Sequence, residues 1–142
     1  MFVSVIEACS PRTLRYGAAL VLACCALAAC SKASEPVRVI RIDLGGHLND
    51  EGNLTAASET FTPTDTVYGS IATEGTGAAT LAAEWVGADG RVLAKQTQQI
   101  NPTKPAHFEF HFAPSGGWPT GRHKVTFTLN GGGARTREFE VR

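Results

Sequence analysis

The residues from Val37 onward predict an all-β fold, an antiparallel β-sandwich of about seven strands. Three observations carry this expectation. Apolar residues recur at every second position in a series of short segments, which is the period of a strand with one buried face. Asp89-Gly90 and Asn130-Gly131 are dipeptides that accept positive φ and close hairpins. No window beyond residue 36 repeats its apolar residues at helical spacing.

The elements follow in order. Residues 37–44, VRVIRIDL, place Ile40, Ile42 and Leu44 in one phase. Residues 45–64 are polar and rich in Gly, Asn and Thr, and read as a long loop with room for one short strand. Residues 65–73 offer Val67 and Ile71 to a core, and residues 79–86 offer Leu81, Ala83 and Trp85. Residues 91–100, RVLAKQTQQI, are more polar, as expected of a strand at a sheet edge. Residues 106–113 alternate most clearly: Phe108, Phe110 and Phe112 face one way, and His107, Glu109 and His111 the other. Residues 123–129 bring Val125, Phe127 and Leu129, and residues 137–142 add Phe139 and Val141. Pro102, Pro105, Pro114 and Pro119 punctuate the longer connections.

Bulk composition narrows the class. The 142 residues carry a formal net charge of zero, with 18% charged and 43% hydrophobic residues. This is a globular balance, outside the disordered range. There is no basic excess to attract nucleic acid. The four cysteines are Cys9, Cys24, Cys25 and Cys30, so the chain from Ser31 to Arg142 holds no disulfide and no thiolate metal site.

The N-terminal segment has its own logic. Arg12 and Arg15 precede an apolar run from Tyr16 to Ala29, YGAALVLACCALAA. The run is shorter than the roughly 20 residues a spanning helix needs, and it suits the apolar region of a secretory signal. It ends in Leu27-Ala28-Ala29-Cys30, which resembles the lipobox of bacterial lipoproteins. The resemblance covers the first thirty residues and implies cleavage before Cys30, a diacylglycerol on its thiol and an acyl chain on its new amino terminus. The competing readings are a plain signal peptide cut elsewhere and a buried N-terminal helix with a chance cysteine. Glu7 and the length of the basic region are departures, and they allow a later translation start. No other cofactor is expected. Ser31 occupies the place where an Asp would retain such a lipoprotein in the inner membrane, so the resemblance points to the outer membrane, facing the periplasm. The expected organisation is a signal peptide over 1–29, lipidated Cys30 with a tether to residue 36, and a folded domain over 37–142.

The domain carries a second resemblance. Residues 116–141, GGWPTGRHKVTFTLNGGGARTREFEV, are similar to the last hairpin of bacterial immunoglobulin-like domains, where an aromatic often opens the strand near the corner. His123 stands at that place instead of Tyr, so a tyrosine-corner hydrogen bond is not implied. The expected fold is therefore an Ig-like β-sandwich, and fold does not by itself assign function.

Candidate site residues are few. His107, Glu109 and His111 share a strand face and form a weak metal-binding candidate, weighed against an ordinary solvated face opposite three phenylalanines. The pattern favours the solvated face. Trp118, in a turn, is read either as a cap on the core or as a contact for a partner. His123 shares the phase of Val125 and Phe127 and is expected to cap one end of the core. Asn53-Leu54-Thr55 matches a glycosylation triplet that means little in a bacterium. Gly131 to Gly133 fall in a hairpin and not between a strand and a helix, so they form no phosphate loop. With no Gly-x-Ser-x-Gly and no other catalytic constellation, the sequence predicts that the protein is not an enzyme. A site assembled from His47, Asp50 and Glu51 is the enzymatic alternative.

The functional expectation is a membrane-anchored periplasmic lipoprotein that acts as an interaction or envelope-assembly module with a protein partner, and binds no nucleic acid. The alternatives are a small-ligand or metal-binding lipoprotein and a purely structural envelope protein.

Overall fold

A computed structural model of the chain describes residues 34–142. The signal segment, the lipobox and Cys30 lie outside the described residues. Among the described residues there are eight strands: β1 (Arg38–Gly45), β2 (Thr60–Phe61), β3 (Val67–Glu74), β4 (Ala79–Val86), β5 (Val92–Ile100), β6 (Ala106–Phe112), β7 (Gly121–Leu129) and β8 (Gly132–Val141). They form a three-stranded sheet, β1-β3-β6, and a five-stranded sheet, β2-β8-β7-β4-β5. All pairings are antiparallel except β2 with β8. The pairings β3–β6 and β4–β7 join strands distant in sequence, one pairing in each sheet. They correspond to the B–E and C–F pairings of the immunoglobulin fold, and the molecule is an Ig-like β-sandwich.

The inner faces are the ones the alternation predicts. Val67, Ile71, Leu81, Trp85 and Val125 have no exposed surface, and Phe127, Phe139 and Val141 have 2% each. Phe110 is buried, while Phe108 and Phe112 pack against the core from its margin. Burying an apolar side chain of this size contributes roughly 1.5–3 kcal/mol. Trp85 is the hub. Its ring lies within 5.9–6.5 Å of those of Phe112, Trp118, Phe127 and Phe139. Its Nε1 donates to Oε1 of Gln96 at 3.0 Å, so the indole's polar end is satisfied inside the sandwich.

Two sequence expectations are corrected. Ile40 does not join Ile42 and Leu44 in the core. The β1–β3 register slips between Val39 and Arg41, and Ile40 is the extra residue of the bulge, 46% exposed. Val39 takes the inward place. The stretch from Gly45 to Thr64 is also more structured than a loop. Leu48 and Leu54 form a bridge, Thr55 N–H donates to the His47 carbonyl at 3.1 Å, and β2 follows. A β-carbon on Gly45 would collide with the Ala56 carbonyl and the Leu54 side chain, so a residue without one lets this hairpin lie on the outer face of β1.

The hairpin turns form as expected. Asn130 and Gly131 both have positive φ, at 51° and 74°. At the other turn Gly90 has φ of 81°, and Gly87 N–H donates to the Arg91 carbonyl at 2.8 Å.

Candidate functional site

The core claims two of the residues singled out above. Trp118 is 2% exposed. Its backbone N–H donates to the Pro63 carbonyl at 2.8 Å, and its Nε1 to the Asp65 carbonyl at 2.9 Å. It caps the core and offers no surface to a partner, because both its polar groups and its ring are engaged within the fold. His123 is 1% exposed and stacks on Phe139 with centroids 5.4 Å apart. Its Nε2 donates to the Pro119 carbonyl at 2.7 Å, four residues upstream. This reproduces the bond of a tyrosine corner with an imidazole, and its Nδ1 is buried without a partner among the described residues.

His107, Glu109 and His111 do lie together on the outer face of the three-stranded sheet, in register with Ala72, Ser70 and Tyr68. They do not converge on one point. His107 and His111 are four residues apart on an extended strand, about 13 Å at 3.3 Å per residue. Nδ1 of His111 is turned to Oε1 of Glu109 at 3.0 Å, and its ring sits 5.4 Å from that of Tyr68. Among the described residues no group of three or more His, Cys, Asp or Glu side chains is placed to hold a metal ion. His47, Asp50 and Glu51 lie along the 47–55 hairpin. Its tight turn uses Oδ1 of Asn49 as the acceptor for the N–H groups of Glu51 and Asn53. A shallow groove of about 300 Å³ lies on the sheet face beside this hairpin, with Arg41, Asp43, Ser70 and His107 on its floor. Arg41 and Asp43 are already paired with each other there.

The sheet edges differ sharply from one another. An open edge presents unpaired N–H and C=O groups, and natural proteins blunt such edges. On β1, the bulge at Ile40 interrupts the ladder, Nε of Arg137 donates to the Ile42 carbonyl at 3.0 Å, and Ser58 N–H donates to the Leu44 carbonyl at 2.8 Å. β2 is two residues long. On β6, Nε2 of Gln96 donates to the His111 carbonyl at 2.9 Å, and Pro105 and Pro114 flank the strand. Only β5 is long and uncovered. Its nine residues contain no proline, and among the described residues nothing bonds to the free side of its backbone. Its one charge, Lys95, is paired with Glu84 on β4 at 2.7 Å. Sequence reading marked β5 as an edge from its polarity. It missed the groups that close the other edges, because Arg137, Ser58 and Gln96 act across sequence distances that alternation does not report.

No protein-family model matches the sequence, and no curated protein matches it. Among solved structures, the chain is similar to the alkylpurine DNA glycosylase AlkC of Pseudomonas fluorescens bound to DNA containing an abasic site analog. The identity is 15% and the TM-score 0.49, over 75% of this chain and 30% of that one. It is also similar to the CARDB domain of a Pyrococcus furiosus protein in complex with di-metal ions. There the identity is 8% and the TM-score 0.47, over 77% of this chain and 90% of that one. The chain thus spans under a third of the glycosylase. At these values neither likeness assigns a ligand, substrate or activity. The expectation that the protein is not an enzyme does not stand: one fold hosts enzymes and binding modules alike, so the absence of a familiar motif does not place this chain outside the enzymes.

Proposed function

We propose that the protein is a bacterial envelope lipoprotein, held to a membrane by lipidated Cys30, whose Ig-like domain engages a protein partner through the free edge of β5. The uncovered β5 edge is the observation that carries the interaction reading, since β2 is short and the edges of β1 and β6 are partly occupied. Main-chain bonds along such an edge give affinity, and alternate side chains give specificity. The anchor reading is supported by the basic segment, the apolar run and LAAC in sequence before the domain. Two or more acyl chains hold a protein stably at a membrane, at about 0.8 kcal/mol per buried methylene. The outer membrane, facing the periplasm, is the location we assign from Ser31.

Replacing Cys30 tests the anchor directly. The full chain carrying Cys30→Ser should move from the membrane fraction to the soluble fraction, with its thermal transition unchanged. The same protein still sedimenting with membranes would defeat the lipid-anchor reading.

A further inference from the structure

We infer that the partner of β5 is β5 of a second copy, paired antiparallel about a two-fold axis at Thr97. The inference rests on the proposal that the β5 edge is the binding edge, and it names the occupant. A symmetric pairing places residue i of one strand opposite residue j of the other, with the sum of i and j constant. Three features select one such register.

The first is geometry. The β4–β5 ladder slips between Trp85, opposite Ala94, and Val86, opposite Val92, so Leu93 is an extra residue. The regular part of β5 therefore runs from Ala94 to Ile100, and Thr97 is its midpoint. The second is charge. With Thr97 opposite itself, Lys95 faces Gln99 of the other copy. A register centred on Lys95 would set like charges against each other. The third is surface chemistry. On the outer row Thr97 meets its own copy and Lys95 meets Gln99, so polar meets polar. Lys95, Thr97, Gln98 and Gln99 are all exposed in the single chain, and the two five-stranded sheets would become one of ten strands. Past the bulge at Leu93, the strand from Ala94 to Ile100 has no proline and Lys95 as its single charge, and so is left open to such pairing.

The domain contains no cysteine of its own, so introduced thiols report contacts cleanly. The full chain with Thr97→Cys, expressed in cells and treated with copper phenanthroline, should run at twice its mass until reduced. The parent chain should not. Gln99→Cys alone should not cross-link, because its copies would lie about 13 Å apart at 3.3 Å per residue, beyond disulfide reach. Co-expressed Lys95→Cys and Gln99→Cys chains should restore the band. As a second measurement, protein purified from membranes should have the solution mass of a dimer, and Thr97→Lys, with two charges at the centre, that of a monomer.

A Thr97→Cys chain that stays at single mass, or a Gln99→Cys chain that links equally well, overturns the pairing. A Thr97→Cys chain that instead links to a protein of different mass overturns self-pairing and leaves β5 as the partner edge. A chain that links to nothing, with a monomeric parent, overturns both readings.

Discussion

His123 shows how one side chain can replace another's role without sharing its chemistry. A tyrosine corner uses a hydroxyl to tie the start of a strand to the preceding connection. Here the imidazole does so through Nε2 and also fills the space between Trp118 and Phe139, with centroids at 5.2 and 5.4 Å. His123→Ala removes the bond and leaves a cavity, and should cost about 2–4 kcal/mol in chemical denaturation. A loss below about 0.5 kcal/mol would mean that the corner is held by other contacts. Gly69 makes the complementary point. It lies on the inner face of β3, and a β-carbon there would stand 2.5 Å from Cζ of Phe127. Phe127 is 2% exposed and bounded by Trp85 and Phe110, so it has little room to yield. Gly69→Ala should therefore destabilise by about 1–3 kcal/mol in the same measurement. An unchanged midpoint would show that the ring shifts freely.

Among the elements, the β4–β5 hairpin is set by its turn. Oδ1 of Asp89 accepts the Arg91 N–H at 3.0 Å, and Oδ2 accepts from the Arg91 guanidinium at 2.7 Å. The backbone bond, then the guanidinium, hold the Asp89 carboxyl below its ordinary value. A carboxyl lowered by folding contributes stability that is present above its unfolded pKa and lost as pH falls through its folded one. Asp89→Asn should thus lower the melting temperature slightly at neutral pH, and the difference from the parent should vanish in acid. A difference independent of pH would separate the turn's stability from this carboxylate. Seven strands were legible because each has one wet and one dry face, as in Phe108, Phe110 and Phe112 against their polar neighbours. β2 was legible only as room for one short strand in residues 45–64, since Thr60-Phe61 is too short to alternate. The bulge left a trace that was overlooked. Val37 and Val39 keep one phase while Ile42 and Leu44 keep the other, and the slip requires one surplus residue between them. The candidate site was the least legible part. Sequence places His107, Glu109 and His111 on one face, but only coordinates show that the strand holds the two imidazoles apart.

At the scale of the molecule, the two flanks of the sandwich serve different ends. On one flank Arg137 and Ser58 close β1, and the chain enters that strand from Glu35, whose carbonyl accepts the Thr76 N–H at 2.9 Å. The described chain is therefore fastened to the β3–β4 turn at Glu35, three residues before β1 begins. On the other flank Gln96 joins the two layers, reaching both Trp85 and the His111 carbonyl, and β5 lies open beside it. A partner at β5 would thus meet the flank opposite β1, the strand by which the described chain enters the sandwich. The same core also has an optical consequence. Trp85 and Trp118 are the chain's two tryptophans, and their rings lie 6.3 Å apart at 54° with both indoles shut away from water. Transition dipoles that close and that oblique couple, so the folded protein should show a paired positive and negative band in its circular dichroism. That signature would vanish as a unit when the layers separate, and it would report the closure of this sandwich without any added label.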